Sequence, residues 1–183
     1  MKIRKLLFVL VGILVFTAPT LAKVSSMQLL FLIKQAFPDV QEINVFINST
    51  EMQDELATLT RAATQMQIKA NVYEIANAAN IGTGIQQIAN NSILLVYDDE
   101  IFNNTKNKLY ILSKCKEKQI AIVSSSNDFI QSGALLGYVD TDGSKKIVLN
   151  LTYYDHLKSK FTPDVIQQIG VNQVIPADYL SLN

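Results

Sequence analysis

Three apolar runs in this chain stop at polar residues that can do chemistry. Asn48-Ser49-Thr50 follows the run 43–47, Asp98-Asp99 follows 93–97, and Ser124-Ser125-Ser126 closes 119–124. Amides and hydroxyls hydrogen-bond a carboxylate or an amide, and a carboxylate accepts from an amine. A catalytic set does not assemble from the same residues. The three serines lack the G-x-S-x-G elbow of a hydrolase nucleophile. Gly82-Thr83-Gly84 begins like a phosphate loop, but a third glycine and a G-K-[ST] are missing. It reads as a flexible entry to a helix. Asp98-Asp99 suggests half of a phospho-acceptor or metal pair, yet Asn48-Ser49-Thr50 stands where further carboxylates are needed. Carboxylates capping the next segment are the plainer reading. His156, the one histidine, lies beside Asp155 with no nucleophile placed near it by any motif, and reads as solvated. Cys115, the one cysteine, rules out a disulfide within the chain and a multi-cysteine zinc centre. It reads as a buried, inert thiol inside a helix.

The elements that must position these residues follow from periodicity. Ser25 and Ser26 offer an N-cap before the apolar helix 27–37, which stops ahead of Pro38. The strand 43–47 leads through Asn48-Ser49-Thr50 to a helix 51–67. There Met52, Leu56, Leu59, Ala63 and Met66 form one stripe, with Ser49 or Thr50 as N-cap. A strand 70–75, a helix 80–90 and the strand 93–97 repeat the unit. A helix 108–118, with Leu109, Leu112 and Cys115 on one side, leads to the strand 119–124. A short helix 127–132 follows, then strands 135–139 and 147–151 split by Asp140-Thr141-Asp142-Gly143, a turn signal. Short helices 152–160 and 163–169 precede a last strand 171–175, with Pro163 suited to the first helical position behind Thr162. Strand and helix alternate, and the middle strands are apolar on both faces, so helices must cover both. The expected fold is α/β, a single doubly wound, mostly parallel sheet with helices on both faces. In such sheets ligands sit beyond the strand C-termini, where strand order reverses, and that is where the polar residues stand.

Composition narrows the class further. An apolar share of 49% is too high for a disordered chain, and 183 residues suit one domain. Lys2, Arg4 and Lys5 precede an uncharged apolar run at 6–16, and Thr20-Leu21-Ala22 supplies small residues beyond it. This is the pattern of a secretory signal peptide over 1–22, cut after Ala22. The run is shorter than the ~20 residues of a membrane span, and an uncleaved anchor is the alternative. Three of the sixteen basic residues and none of the sixteen acidic ones lie in that segment. The domain 23–183 therefore carries a slight negative charge and no footprint for nucleic acid. The expected location is the periplasm, an oxidising compartment.

A series of short motifs carries a family resemblance over 27–175. It comprises the Pro-led entry Phe37-Pro38-Asp39, the strand that ends in Asn48-Ser49-Thr50, and the strand that ends in Asp98. The segment Gly133-Ala134-Leu135-Leu136-Gly137-Tyr138, the strand end Asn150-Leu151 and the Pro-led Phe161-Thr162-Pro163 complete it. In this order they resemble the second lobe of periplasmic substrate-binding proteins of ABC transporters, in the branch for tryptophan-like ligands. Ala121 replaces a proline of the family pattern, and the segment crossing back to the first lobe is shortened to Asp140-Thr141-Asp142-Gly143. Gly133 through Asn150, with the Pro-led helix after it, also resembles the tail of YfiR-type periplasmic repressors, although Ser132-Gly133 replaces a glycine pair.

The resemblance implies one periplasmic-binding-protein-like, Rossmann-like lobe that binds rather than catalyses and needs neither cofactor nor metal. Taken with the strand-end topology, it implies a small-molecule ligand held by Asn48, Ser49, Thr50, Asp98 and Ser124. Asn, Ser and Thr would bind a carboxylate or amide with help from the N-terminus of the 51–67 helix, and Asp98 would accept from an amine. One lobe supplies half a pocket. A homodimer, an ABC permease or an envelope sensor protein is the expected partner that completes it, and the YfiR-like alternative is a regulator that binds a membrane signalling protein.

Overall fold

The computed structural model describes residues 24–141 and 143–177; the signal peptide expected over 1–22 lies outside them. The elements run α1 (Ser26–Ala36), β1 (Glu42–Ile47), α2 (Gln53–Gln65), β2 (Lys69–Glu74), α3 (Ala78–Gln87), β3 (Ile93–Val96), α4 (Glu100–Asn103), α5 (Thr105–Glu117), β4 (Ala121–Ser124), α6 (Asn127–Ser132), β5 (Leu136–Thr141), β6 (Ser144–Asn150), a 3₁₀ helix at Asp155–Lys160, α7 (Pro163–Ile169) and β7 (Gln173–Ile175). The seven strands form one sheet in the order β2-β1-β3-β4-β5-β6-β7. Every pair is parallel except the hairpin β5–β6.

Successive strand residues point to opposite faces, and each face meets its own apolar cluster. Ile43, Val45 and Ile47 of β1 and Leu95 of β3 pack with α1, α2 and α7. Phe46, Leu94, Val96 and Ile122 pack with α3, α5 and α6 on the other side. This two-sided burial accounts for the mostly apolar central strands, and the sheet is mostly parallel, as the sequence predicts. Phe46 stacks on Phe102 with centroids 6.2 Å apart and meets Tyr73 edge-on at 6.0 Å. Such pairs add about 0.5–1.5 kcal/mol each beyond burial.

Strand order reverses at β1, because β2 pairs on one side of it and β3 on the other. The chain leaves β1 for α2 on one face and leaves β3 for α4 and α5 on the other. The two exits diverge at Asn48 and Asp98-Asp99, the switch point of an open α/β sheet.

Four local expectations change. The N-cap position of α2 is Met52, with no side-chain cap, rather than Ser49 or Thr50. A turn closed by Glu51 N–H and Met52 N–H on the Asn48 carbonyl intervenes. Gly82 and Gly84 lie inside α3 rather than at a flexible entry. A Cβ at Gly84 would sit 3.0 Å from the Phe46 ring, so the glycine lets α3 approach the sheet. The buried side of α5 is Lys108, Ile111, Leu112 and Cys115, while Leu109 is exposed. The short helix α4, capped by Asp99 on Ile101 N–H, was not expected.

Candidate functional site

The four parallel strands β2, β1, β3 and β4 end side by side, and their polar termini are joined in sheet order. Ser49 Oγ, after β1, donates to Glu74 Oε2 at the end of β2 at 3.0 Å. Asn48 Nδ2 crosses the switch point and donates to Asp99 Oδ2 at 3.2 Å. Asp98 N–H donates to Ser125 Oγ, after β4, at 2.9 Å. Asn103 Nδ2 donates to Asp98 Oδ1 at 2.5 Å, and Ser126 Oγ donates to Asn103 Oδ1 at 2.8 Å. The result is one hydrogen-bonded rim along the C-terminal edge.

The sequence-expected residues take different places in it. Asn48 is 7% exposed. Its Oδ1 is buried without a partner, which makes it the one such side-chain atom among the described residues. Ser49 is half-buried, Thr50 and Asp98 are exposed, and all three lie on the outer surface of the rim. Ser124 has no exposed surface. Its Oγ donates to the Val96 carbonyl at 2.9 Å and accepts from Ser126 N–H at 3.0 Å. It fixes the β3–β4 ends and the start of the Ser126-capped helix α6 from behind, and offers no contact surface of its own. Sequence reasoning passed over Glu74 and Asn103, and named Ser125 and Ser126 only within the polar end of the 119–124 run. Only strand order, which places β2 and β4 on either side of β1 and β3, brings them to this edge.

Behind the rim lies a second polar cluster. Ser26, the first residue of α1, donates its backbone N–H to Glu55 Oε1 at 3.2 Å, and its hydroxyl also binds Glu55. The same hydroxyl meets Tyr97 Oη at 2.5 Å. Tyr97 follows β3 and is fully buried. Its phenol is pushed well above the usual range by burial, partly countered by the Ser26 hydrogen bond. Glu55 thus serves as a built-in anion at the α1 N-terminus, where the helix dipole favours one.

A hollow of about 790 Å³ lies at the opposite end of the sheet, where β1, β3 and β4 begin. Phe37, Asp39, Glu42, Ile93, His156 and Lys160 are among its lining residues. Glu42 is already tied to Lys69 and Asn71 there. His156 is exposed, as expected, and lies away from the rim. The unpaired buried acceptor of Asn48 stands at the C-terminal edge, where strand order reverses. No helix of the described residues is long and apolar enough to cross a membrane.

A family model described as ABC transporter substrate binding protein matches residues 23–143. No curated protein matches the chain significantly. Among solved structures, a conserved domain protein from Vibrio cholerae O1 biovar El Tor is similar with a TM-score of 0.68 at 16% identity, over 81% of this chain and 60% of that one. The ABC domain of Streptococcus pneumoniae in complex with L-Trp gives a TM-score of 0.66 at 14% identity, over 82% and 62%. The ligand-free, open form of a substrate binding protein with adhesive properties from Clostridium difficile gives 0.59 at 17%, over 81% and 56%. The chain thus spans about three-fifths of the length of these structures, and at such identities the likeness establishes the fold.

Proposed function

The chain belongs to the ABC transporter substrate-binding protein family, and from that premise we propose that it is a non-enzymatic binding module that holds a small organic ligand of amino-acid size at the C-terminal edge of its sheet. Asn48, Ser49, Thr50 and Asp98 are the proposed contacts, with Ser124 holding the rim behind them. The observation that carries this reading is the Asn48 amide. It spans the switch point to Asp99 and leaves a buried acceptor oxygen without a donor. Buried polar atoms are nearly always paired, and a ligand's donor is one way to pair this one. The L-Trp complex of the pneumococcal structure supports a ligand of this size.

The proposed location is the periplasm, in line with the signal peptide expected over 1–22. The edge forms one wall of a cleft. A second copy of the chain, or a membrane partner such as an ABC permease, is the proposed opposite wall. The test is a thermal-shift and calorimetric screen of the purified protein against amino acids, amines and small aromatic acids. A ligand at 100 times its dissociation constant stabilises the fold by about 2.7 kcal/mol. Asp98→Ala, an exposed change, is expected to abolish that shift while leaving the unliganded melting temperature in place. No shift with any ligand sinks the reading and turns the search to a regulatory role on an envelope sensor protein.

A further inference from the structure

We propose that the hollow at the opposite end of the sheet is a second binding site, separate from the C-terminal edge, and that it takes a short peptide with free termini. Its apolar lining is Phe37, Val40, Ile93, Ala121, Leu157 and Val165. At about 790 Å³ it falls within the roughly 300–1,000 Å³ of small-ligand pockets. It runs past the starts of β1, β3 and β4, which are neighbours in the sheet. Strands lie about 4.8 Å apart, so the starts of the outer two are about 10 Å from each other. An extended chain rises about 3.4 Å per residue, and three residues cover that distance. A free amino acid covers about a third of it.

The polar lining matches a peptide better than a lipid or a sugar. Gln35, Gln41, Asn91, Gln119 and Gln168 line the hollow, and none of their side chains has a hydrogen-bond partner among the described residues. Elsewhere the amides of Asn44, Asn71, Asn103 and Asn150 are each bonded inside the protein. A side-chain amide offers N–H donors and a carbonyl acceptor, which together complement a peptide bond. An alkyl chain satisfies none of these groups. Asp39 and Lys160 line the same hollow, and among the described residues neither is in an ion pair, with each other or with any other side chain. Glu42, the other carboxylate there, is paired with Lys69 at 3.2 Å. His156, on the same 3₁₀ helix as Lys160, adds a ring N–H donor. The hollow thus presents an unpaired carboxylate and an unpaired ammonium, which the two charged ends of a peptide complement and a neutral sugar does not.

Trileucine and leucine test the inference, with N-acetyl-trileucine amide, glucose and decanoate as comparison probes. Calorimetry on the purified protein should show trileucine bound at least tenfold more tightly than leucine. The capped peptide keeps the peptide bonds and lacks both terminal charges, and should bind at least fivefold more weakly than trileucine. Lys160→Gln and Asp39→Asn, both exposed changes, should each weaken trileucine at least threefold. The capped-peptide comparison uses the wild-type protein and decides the matter even if a variant folds poorly. In amide NMR spectra trileucine should shift Asn91, Gln119 and Leu157 and leave Asp98 and Ser126 in place. Leucine bound as tightly as trileucine, with the same resonances shifted, overturns the peptide preference. Decanoate or glucose shifting those resonances while trileucine does not overturns it in favour of a lipid or sugar site. Trileucine shifts gathered at Asp98 and Ser126, and lost in Asp98→Ala, overturn the second site and return the peptide to the C-terminal edge. Silence of all five probes at Asn91, Gln119 and Leu157 removes the second site and leaves the reading of the C-terminal edge standing.

Discussion

At the scale of single residues, the buried polar groups are tied to backbone or to each other, and Asn48 Oδ1 stands apart from them. Asn44 donates to the Ile93 carbonyl at 3.2 Å and accepts from Tyr73 Oη at 3.3 Å. Asn150 donates to the Ile130 carbonyl and accepts from Thr152 N–H. The Cys115 thiol has no such role and is simply buried in the α5 face of the core. Burial pushes it from 9.0 up to about 12, with the Lys118 charge pulling weakly the other way. In the unfolded chain the proton leaves near its ordinary value, while the folded protein holds it to about pH 12. Stability is therefore unaffected by this group below pH 9 and falls as pH rises above it, approaching about 1.4 kcal/mol per pH unit until the folded thiol also ionises. Burial raises the Tyr97 and Tyr154 phenols in the same direction, so alkaline loss steepens further. From pH 8 to 10.5 the urea midpoint of the wild type should fall more steeply than that of Cys115→Ala, which starts lower for loss of the buried side chain. Parallel declines would show a thiol that titrates as it does in water. Iodoacetamide at pH 8 should label Cys115 only once the protein is unfolded.

At the scale of elements, the rim depends on how closely β4 and β5 approach. Gly137 of β5 pairs with Ser124 of β4. A Cβ there would lie 2.0 Å from the Ser124 carbonyl oxygen and 2.7 Å from Ile130 Cδ1. A backbone carbonyl inside a ladder cannot step aside without breaking the pairing that holds Ser124 and, through it, Ser126. Gly137→Ala is expected to cost ~4 kcal/mol or more, the range reserved for severe steric or core defects. A near-wild-type urea midpoint would refute the close approach. Gly137 was read in the sequence only as part of an apolar segment, because nothing in one chain tells which backbone will face it. The strands themselves were legible, since two-sided burial leaves continuous apolar runs such as 93–96. Helix α4 was not, because four residues with one buried side chain, Phe102, leave no period to read. On α5 the apolar period pointed at Leu109, but Lys108 holds the buried position by pairing with Asp128. A charge in the stripe shifted the apparent face by one residue. At the site, the polar strand ends were legible, but the burial of Ser124 and the orphaned Asn48 oxygen depend on neighbours that strand order supplies.

At the scale of the whole molecule, the sheet both joins the two cores and fixes where they are weakest. Each apolar cluster lies on one face, and β1, β3 and β4 contribute side chains to both. Removing those strands from the sheet requires opening both layers at once, so their amides should exchange only through global unfolding. The margins differ. β2 lies at one edge, with half-exposed or exposed residues throughout, and β7 is a three-residue strand at the other. Native-state hydrogen exchange should therefore rank β3 slowest, with β1 and β4 close to it, and should find β2 and β7 faster and less sensitive to denaturant. Equal protection of β2 and β3 would mean that the edge is covered by something beyond these contacts, such as a second copy of the chain, and exchange that slows with protein concentration would identify it. The rim adds a third expectation to the same measurement. Asp98 N–H and Ser126 N–H are held by serine hydroxyls rather than by the ladder. They should exchange faster than the strand amides beside them, and slow when a ligand seats on the C-terminal edge. Protection that instead appeared around Asp39 and His156 would move the binding site to the opposite end of the sheet.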